Sequence, residues 1–140
     1  MRGVRATAFA LALTAGVAHA APAPVTGRWL TTEGKALVEI APCGGGGATL
    51  CGRIARVLKP RPGGPAVDSN NPDKALRTRP IQGLQILSGF TADGDKWKGR
   101  IYDPESGRTY RSELRREGGM LKVKGCFGPF CRTQDWTAAR

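Results

Sequence analysis

The chain has 140 residues, with 22 lysines and arginines against 11 acidic residues, a formal net charge of +11, four cysteines and one histidine. That length suits a single domain. The one histidine, His19, falls in a stretch expected to be removed, so serine–histidine and cysteine–histidine nucleophile pairs and histidine-ligated metal sites are excluded from the rest.

Residues 1–20 read as a secretory signal peptide. Arg2 and Arg5 supply a basic start, residues 6–17 an apolar run, and Ala18-His19-Ala20 a small-x-small cleavage site. The run is too short to span a bilayer, and Ala21 after the cut is not a lipidation cysteine. A periplasmic or secreted protein is expected. Loss of the two arginines lowers the formal charge from +11 to +9. Residues 21–26 are expected as a flexible start and residues 27–137 as one domain.

Gly27-Arg-Trp-Leu-Thr-Thr predicts the first strand, with a turn at Glu33-Gly34. Residues 36–43 and 50–59 predict two more, joined by a glycine tip at residues 44–47. Residues 60–80 form a long polar loop, of a kind that is usually functional or partly helical in a compact domain. Its one helical signal covers residues 73–77, after Pro72. Beyond it, Leu84, Ile86 and Phe90 share one parity, and Asp93-Gly94 turns. Trp97 and Ile101 alternate with Lys96, Lys98 and Arg100, and Tyr110, Ser112 and Leu114 with Arg111, Glu113 and Arg115. Leu121, Val123 and Phe127 alternate with Lys122 and Lys124, and residues 132–137 form a last strand around Trp136.

Period-two alternation with hairpin-short connections predicts antiparallel sheet with one face inside. Eight such segments can bury that face, and lose their edges, by closing on themselves. The expected fold is all-β: a small closed antiparallel eight-stranded barrel with one short helix in the long loop. A sandwich is the alternative.

Four cysteines in an exported chain predict disulfides. Of the three pairings, nearness across two turns favours Cys43–Cys51 and Cys126–Cys131. Chain entropy does not select them: it gives about 2.6 and 2.2 kcal/mol for these loops and about 4.6 for a crossed Cys43–Cys126 bridge.

Three groups of residues could carry function. In the long loop, Asp68, Asn70, Asn71 and Asp73 can cap backbone amides while Arg77 and Arg79 reach back to the carboxylates, a self-satisfied lid. The same arginines could instead wait at the barrel mouth as an anion clamp. A calcium site from Asp68, Asn70 and Asp73 is disfavoured, because Arg79 stands where a closing glutamate belongs. Trp29, Trp97, Tyr110, Phe127 and Trp136 face inward, as core or as the lining of a cavity. Lys96, Lys98, Arg100, Arg111, Arg115, Lys122 and Lys124 face outward, a solvated face or one attracted to anionic surfaces. Asp103-Pro-Glu-Ser-Gly107 reads as a turn rather than an acid–base pair.

Several motifs lie in order: Gly27-x-Trp29, Pro42-Cys43 with Leu50-Cys51-Gly52-Arg53-Ile54, and Asp68-x-Asn70-Asn71-Pro72-Asp73. Then come Leu76-Arg77-x-Arg79-Pro80-Ile81-x-Gly83-Leu84, Gly99-Arg-Ile-Tyr-Asp-Pro-Glu-Ser-Gly107, Leu121-Lys-Val-Lys-Gly125-Cys126 and Arg132-Thr-Gln-x-Trp136. Together they resemble the domain-of-unknown-function family 2147 (DUF2147), small exported bacterial proteins. The resemblance implies a lipocalin-like (calycin) barrel and no settled activity. Gly27-x-Trp29 also resembles the first-strand signature of lipocalins, which implies that Trp29 closes the barrel floor with a late arginine beside it, here Arg132.

The expected function is binding of a small apolar or amphipathic ligand. Trp97, Tyr110, Leu114, Val123 and Phe127 would line the interior, and Arg77 and Arg79 would hold an acid group at the mouth. The alternative is an envelope module docking on anionic polymer or lipid through its basic outer face. A carboxylate enzyme using Asp68 or Asp73 is third. No enzymatic activity, catalytic residue, cofactor, metal or nucleic-acid partner is expected, and the oligomeric state stays open.

Overall fold

Strands that alternate polar and apolar residues can hide the apolar set only if the sheet curls around it. In the computed structural model, which describes residues 3–4, 7–17, 20–45, 47–60, 62–63 and 67–140, it does. Strands β1 (Gly27–Leu30), β2 (Ala36–Pro42), β3 (Leu50–Val57), β4 (Gln85–Asp93), β5 (Lys96–Asp103), β6 (Arg108–Glu117), β7 (Met120–Phe127) and β8 (Phe130–Ala138) form a closed barrel in chain order. All pairs are antiparallel, and β8 returns to β1 through Trp29↔Ala138 and Leu30↔Thr137. Arg2, Arg5 and Ala18-His19 of the expected signal peptide, Gly46 of the glycine tip and Arg61 of the long loop lie outside the described residues.

Up-and-down order sorts the connections to two ends. One end gathers the β2–β3, β4–β5 and β6–β7 hairpins and the segment before β1. Trp29 Nε1 donates to the Val25 carbonyl at 2.9 Å, Trp97 Nε1 to Ala23 at 3.1 Å and Arg116 Nη1 to Pro24 at 3.2 Å. Residues 23–25, expected within a free start, are thus tied down, with Val25 fully buried. This end is closed. The other end gathers the β1–β2 connection, the β3–β4 excursion and the β5–β6 and β7–β8 turns.

The core is the inward set, including Trp29, Val38, Ile40, Leu87, Phe90, Leu114, Leu121 and Trp136. Each such side chain contributes about 1.5–3 kcal/mol by leaving water. In β4 the expected parity changes partway. Gly89, at φ 64°, makes a bulge, with the register against β5 shifting between Ser88 and Thr91. Leu87 and Phe90 are therefore the inward residues. Ile86 takes the outer face and is buried there.

Both favoured disulfides are present, Cys43–Cys51 across the β2–β3 hairpin and Cys126–Cys131 across β7–β8. The helical signal at residues 73–77 shrinks to one 3₁₀ turn, Lys74–Leu76, whose Ala75 amide donates to the Asp73 carboxylate at 3.0 Å. A second such turn, Thr32–Gly34, joins β1 to β2, with Glu33 at φ 62°.

Candidate functional site

The polar loop closes on itself. Val67 bridges Pro80, and the Asp68 amide donates to the Arg79 carbonyl at 2.9 Å. Within this neck Asp68 is wholly buried and fully partnered. Its Oδ2 accepts from Asn71 Nδ2 at 2.8 Å and from Arg79 Nε and Nη2, both at 3.1 Å, while Oδ1 accepts from the Tyr102 hydroxyl at 2.6 Å. Burial alone would raise the Asp68 carboxyl. The hydrogen bonds from Tyr102, Asn71 and Arg79, with the Arg79 charge, outweigh it and hold the group below the usual carboxylate value. Burial, then the Asp68 contact, pushes the Tyr102 phenol up to about 12.

Neighbouring residues of a strand face opposite ways. Ile101 lines the interior, so Tyr102 points outward, and the loop it holds is a strap on the outer wall rather than a cover over the opening. The strap docks on the β5–β6 turn, where Asn70 Nδ2 donates to the carbonyls of Pro104 at 3.3 Å and Glu105 at 2.9 Å. Arg77 Nε donates to the Asn71 carbonyl at 2.7 Å. The two arginines expected at the mouth are thus engaged within the strap, and neither lines the cavity.

That cavity, about 530 Å³, opens at the mouth end. Its origin lies in the cross-strand register. Gly99, Ser112, Gly125 and Arg132 are successive partners across β5, β6, β7 and β8. Three of these four inward positions carry little or no side chain. Phe90 fills the space over Gly99, where a Cβ would sit 2.7 Å from its ring. Over Gly125 a Cβ would have only ordinary neighbours, Ile101 at 3.7 Å and Tyr110 at 3.9 Å, so room remains. Ser112 Oγ is buried beside it without a hydrogen-bond partner among the described residues.

Rows on either side complete the lining. Towards the mouth stand Ile101, Tyr110, Phe127 and Phe130, with the Tyr110 and Phe127 rings edge to face at 6.3 Å. Towards the floor stand Val123 and Gln134. Asp103 lies at the rim, its Oδ1 accepting from the Glu105 amide at 3.0 Å. Among the described residues no carboxylate lies within ion-pair distance of Arg132, which lines this cavity.

Of the expected lining, Tyr110, Val123 and Phe127 come together here. Leu114 is fully buried core, and Trp97 belongs to the closed end. The guanidinium beside Trp29 is that of Arg116, 5.3 Å from the ring centre, and not that of Arg132. Asp103, Phe130 and Gln134 were missed, although each shares parity with an inward neighbour: Ile101, Arg132 and Trp136 respectively. Among the described residues no group of three histidine, cysteine, aspartate or glutamate side chains is placed to hold a metal.

A closed eight-stranded up-and-down barrel, plugged at one end and hollow at the other, is a lipocalin-like architecture. The chain belongs to the family of uncharacterised proteins conserved in bacteria, DUF2147, whose model matches residues 27–138. Its fold is similar to that of the solved protein HP1028 from the human pathogen Helicobacter pylori, described as belonging to the lipocalin family. The TM-score is 0.70, with 21% identity and 84% of each chain covered. Comparison with curated proteins found no match.

Proposed function

We propose that this barrel binds one small amphipathic molecule in its mouth-side cavity, with an acidic group at Arg132 and an apolar body against Ile101, Tyr110, Val123 and Phe127. One observation carries the reading: a guanidinium without a carboxylate partner among the described residues, set into a largely apolar hollow. Such a group favours an anion that brings its own apolar surface. The cavity volume falls within the range of small-molecule sites, roughly 300–1,000 Å³. The role is carriage or sensing without catalysis, in the cell envelope or the medium. Two disulfides are compatible with export.

Docking through the outer basic face draws less support. Lys96 and Lys124 pair with Glu113, Lys98 with Asp93, Arg115 with Asp95 and Lys122 with Asp135. Five of the seven cations on that wall thus have a carboxylate beside them, while Arg100 and Arg111 have no ion pair among the described residues.

Calorimetric titration of the protein with dodecanoate below its micelle-forming concentration, and with dodecanol below its solubility limit, tests the proposal. Saturable one-to-one binding of the acid, with the alcohol clearly weaker, supports it. Equal affinities, or no heat from either, would remove its basis.

A further inference from the structure

At the rim of the cavity, two of its lining residues are exposed to an extent that ligand binding alone does not explain. Phe127 and Phe130 are register partners at the tip of the β7–β8 hairpin, with Gly128-Pro129 between them, and their exposures are 62% and 78%. The next pair inward, Cys126 and Cys131, is a disulfide, so the two rings are held at a braced tip. Cations surround them. The Arg108 guanidinium sits 5.8 Å from the centre of the Phe127 ring, Arg111 Nη2 donates to the Gly128 carbonyl at 2.9 Å, and Arg132 follows on β8. Within residues 27–138 the other exposed large apolar side chains are Leu58 and Leu76, among the described residues. Both belong to the excursion that leaves the barrel at this same end.

Two bare aromatic rings cost free energy in water unless something covers them. The shape of the feature narrows what that is. A convex tip of two rings is a poor match for the flat, broad interface of a stable protein complex, which buries about 800 Å² per partner. Rings flanked by arginines suit the boundary of a bilayer, where apolar groups enter the acyl region and cations stay among phosphate headgroups.

We propose that the β7–β8 tip docks the barrel, mouth first, on an anionic lipid bilayer. Phe127 and Phe130 enter the acyl boundary, and Arg108 and Arg111 face the headgroup phosphates. The cavity then opens towards the membrane, so that an amphipathic molecule crosses between bilayer and barrel with little exposure to water.

Co-sedimentation of the full chain with vesicles tests this, using equal parts phosphatidylglycerol and phosphatidylcholine against phosphatidylcholine alone. The expected result is binding to the anionic vesicles, reduced roughly thirtyfold by the double substitution Phe127→Ser, Phe130→Ser. Arg111→Gln should reduce it about fivefold. Wild type and variants share residues 7–17, so differences between them report the tip. A second reading is local: in Phe130→Trp, the added fluorescence should shift to the blue and be quenched by brominated lipid. Added fluorescence that brominated lipid leaves unquenched, or binding that ignores the serine substitutions and vanishes in high salt, overturns the proposal. So does concentration-dependent dimerisation that the serine substitutions abolish, which would make the tip a contact between two copies. Because the dodecanoate titration involves no bilayer, failure of docking and failure of ligand binding are separable.

Discussion

The Tyr102 hydroxyl donates to the wholly buried Asp68 carboxylate at 2.6 Å, joining the outer wall of β5 to the neck of the strap. This bond and the Arg79 pair are what the polar loop is built around. Removing the phenol oxygen in Tyr102→Phe leaves a buried carboxylate short of one donor, at a cost of about 2 kcal/mol. Chemical denaturation should show a lowered midpoint with an unchanged slope.

The same pair sets a pH window. Asp68 is depressed in the folded state, so its contribution is present above the ordinary carboxylate value and fades as pH falls through the lower, folded one. Tyr102 is raised from 10.0 to about 12, so its contribution is present below 10.0 and fades as pH climbs towards 12. Melting temperature against pH should fall at both extremes, and Tyr102→Phe should blunt the alkaline fall.

Gly107 sits at φ 68°, and a Cβ there would run into the Asn70 carbonyl oxygen. Gly107→Ala should therefore both strain the β5–β6 turn and push the strap off it. A loss of about 2 kcal/mol or more is expected, with faster amide exchange around Asn70 and Asn71. Gly94→Ala, at a similar φ of 63° but with open space around it, supplies the strain-only comparison.

Two substitutions separate space from charge in the cavity. Gly125→Leu should fill the hollow and lower dodecanoate affinity at least tenfold, while the melting temperature stays near that of the parent. Arg132→Gln should leave dodecanol unaffected and weaken dodecanoate about tenfold, in keeping with loss of one charge-assisted contact. Arg77→Gln, in the strap, should change neither. Titration calorimetry reads all three.

At the closed end Arg116 covers the Trp29 ring and bonds the Pro24 and Gly118 carbonyls. Arg116→Ala should cost about 1–2 kcal/mol. The accompanying red shift of tryptophan emission would report wetting of the floor.

Much of the barrel was legible because its strands obey one rule. From Trp97 to Trp136, parity alone put Ile101, Tyr110, Leu114, Leu121 and Val123 inside, where they are. The rule failed at Gly89, since a bulge adds one residue and no local signal separates it from an ordinary glycine. Ile86 is buried although it lies on the outer face, a burial that strand parity alone does not show. The strap's internal ties among Asp68, Asn71 and Arg79 followed from their chemistry, but its position on the outer wall depended on Tyr102, a partner 34 residues away. The cavity was harder still. It exists because small side chains coincide across β5, β6 and β7, and a coincidence of register is invisible until the strands are aligned. Arg116 stayed hidden for a simpler reason: the lipocalin-like opening pointed to a late arginine, although Arg116 shares parity with Leu114.

Barrel closure has a kinetic consequence. Seven of the eight seams join strands that are neighbours in sequence, while the eighth joins β1 to β8 across almost the whole domain. The described register has two pairs across that seam, with the Ala139 amide donating to the Arg28 carbonyl beside them, whereas eight pairs join β7 to β8. Hairpins can form early from nearby segments, but this last seam has to wait for both ends of the chain to meet. It is therefore the final stitch in folding and the first to part when the native state breathes. Any lateral opening of the wall starts at Thr137 and Ala138, on the same strand that carries Arg132 and Gln134 into the hollow.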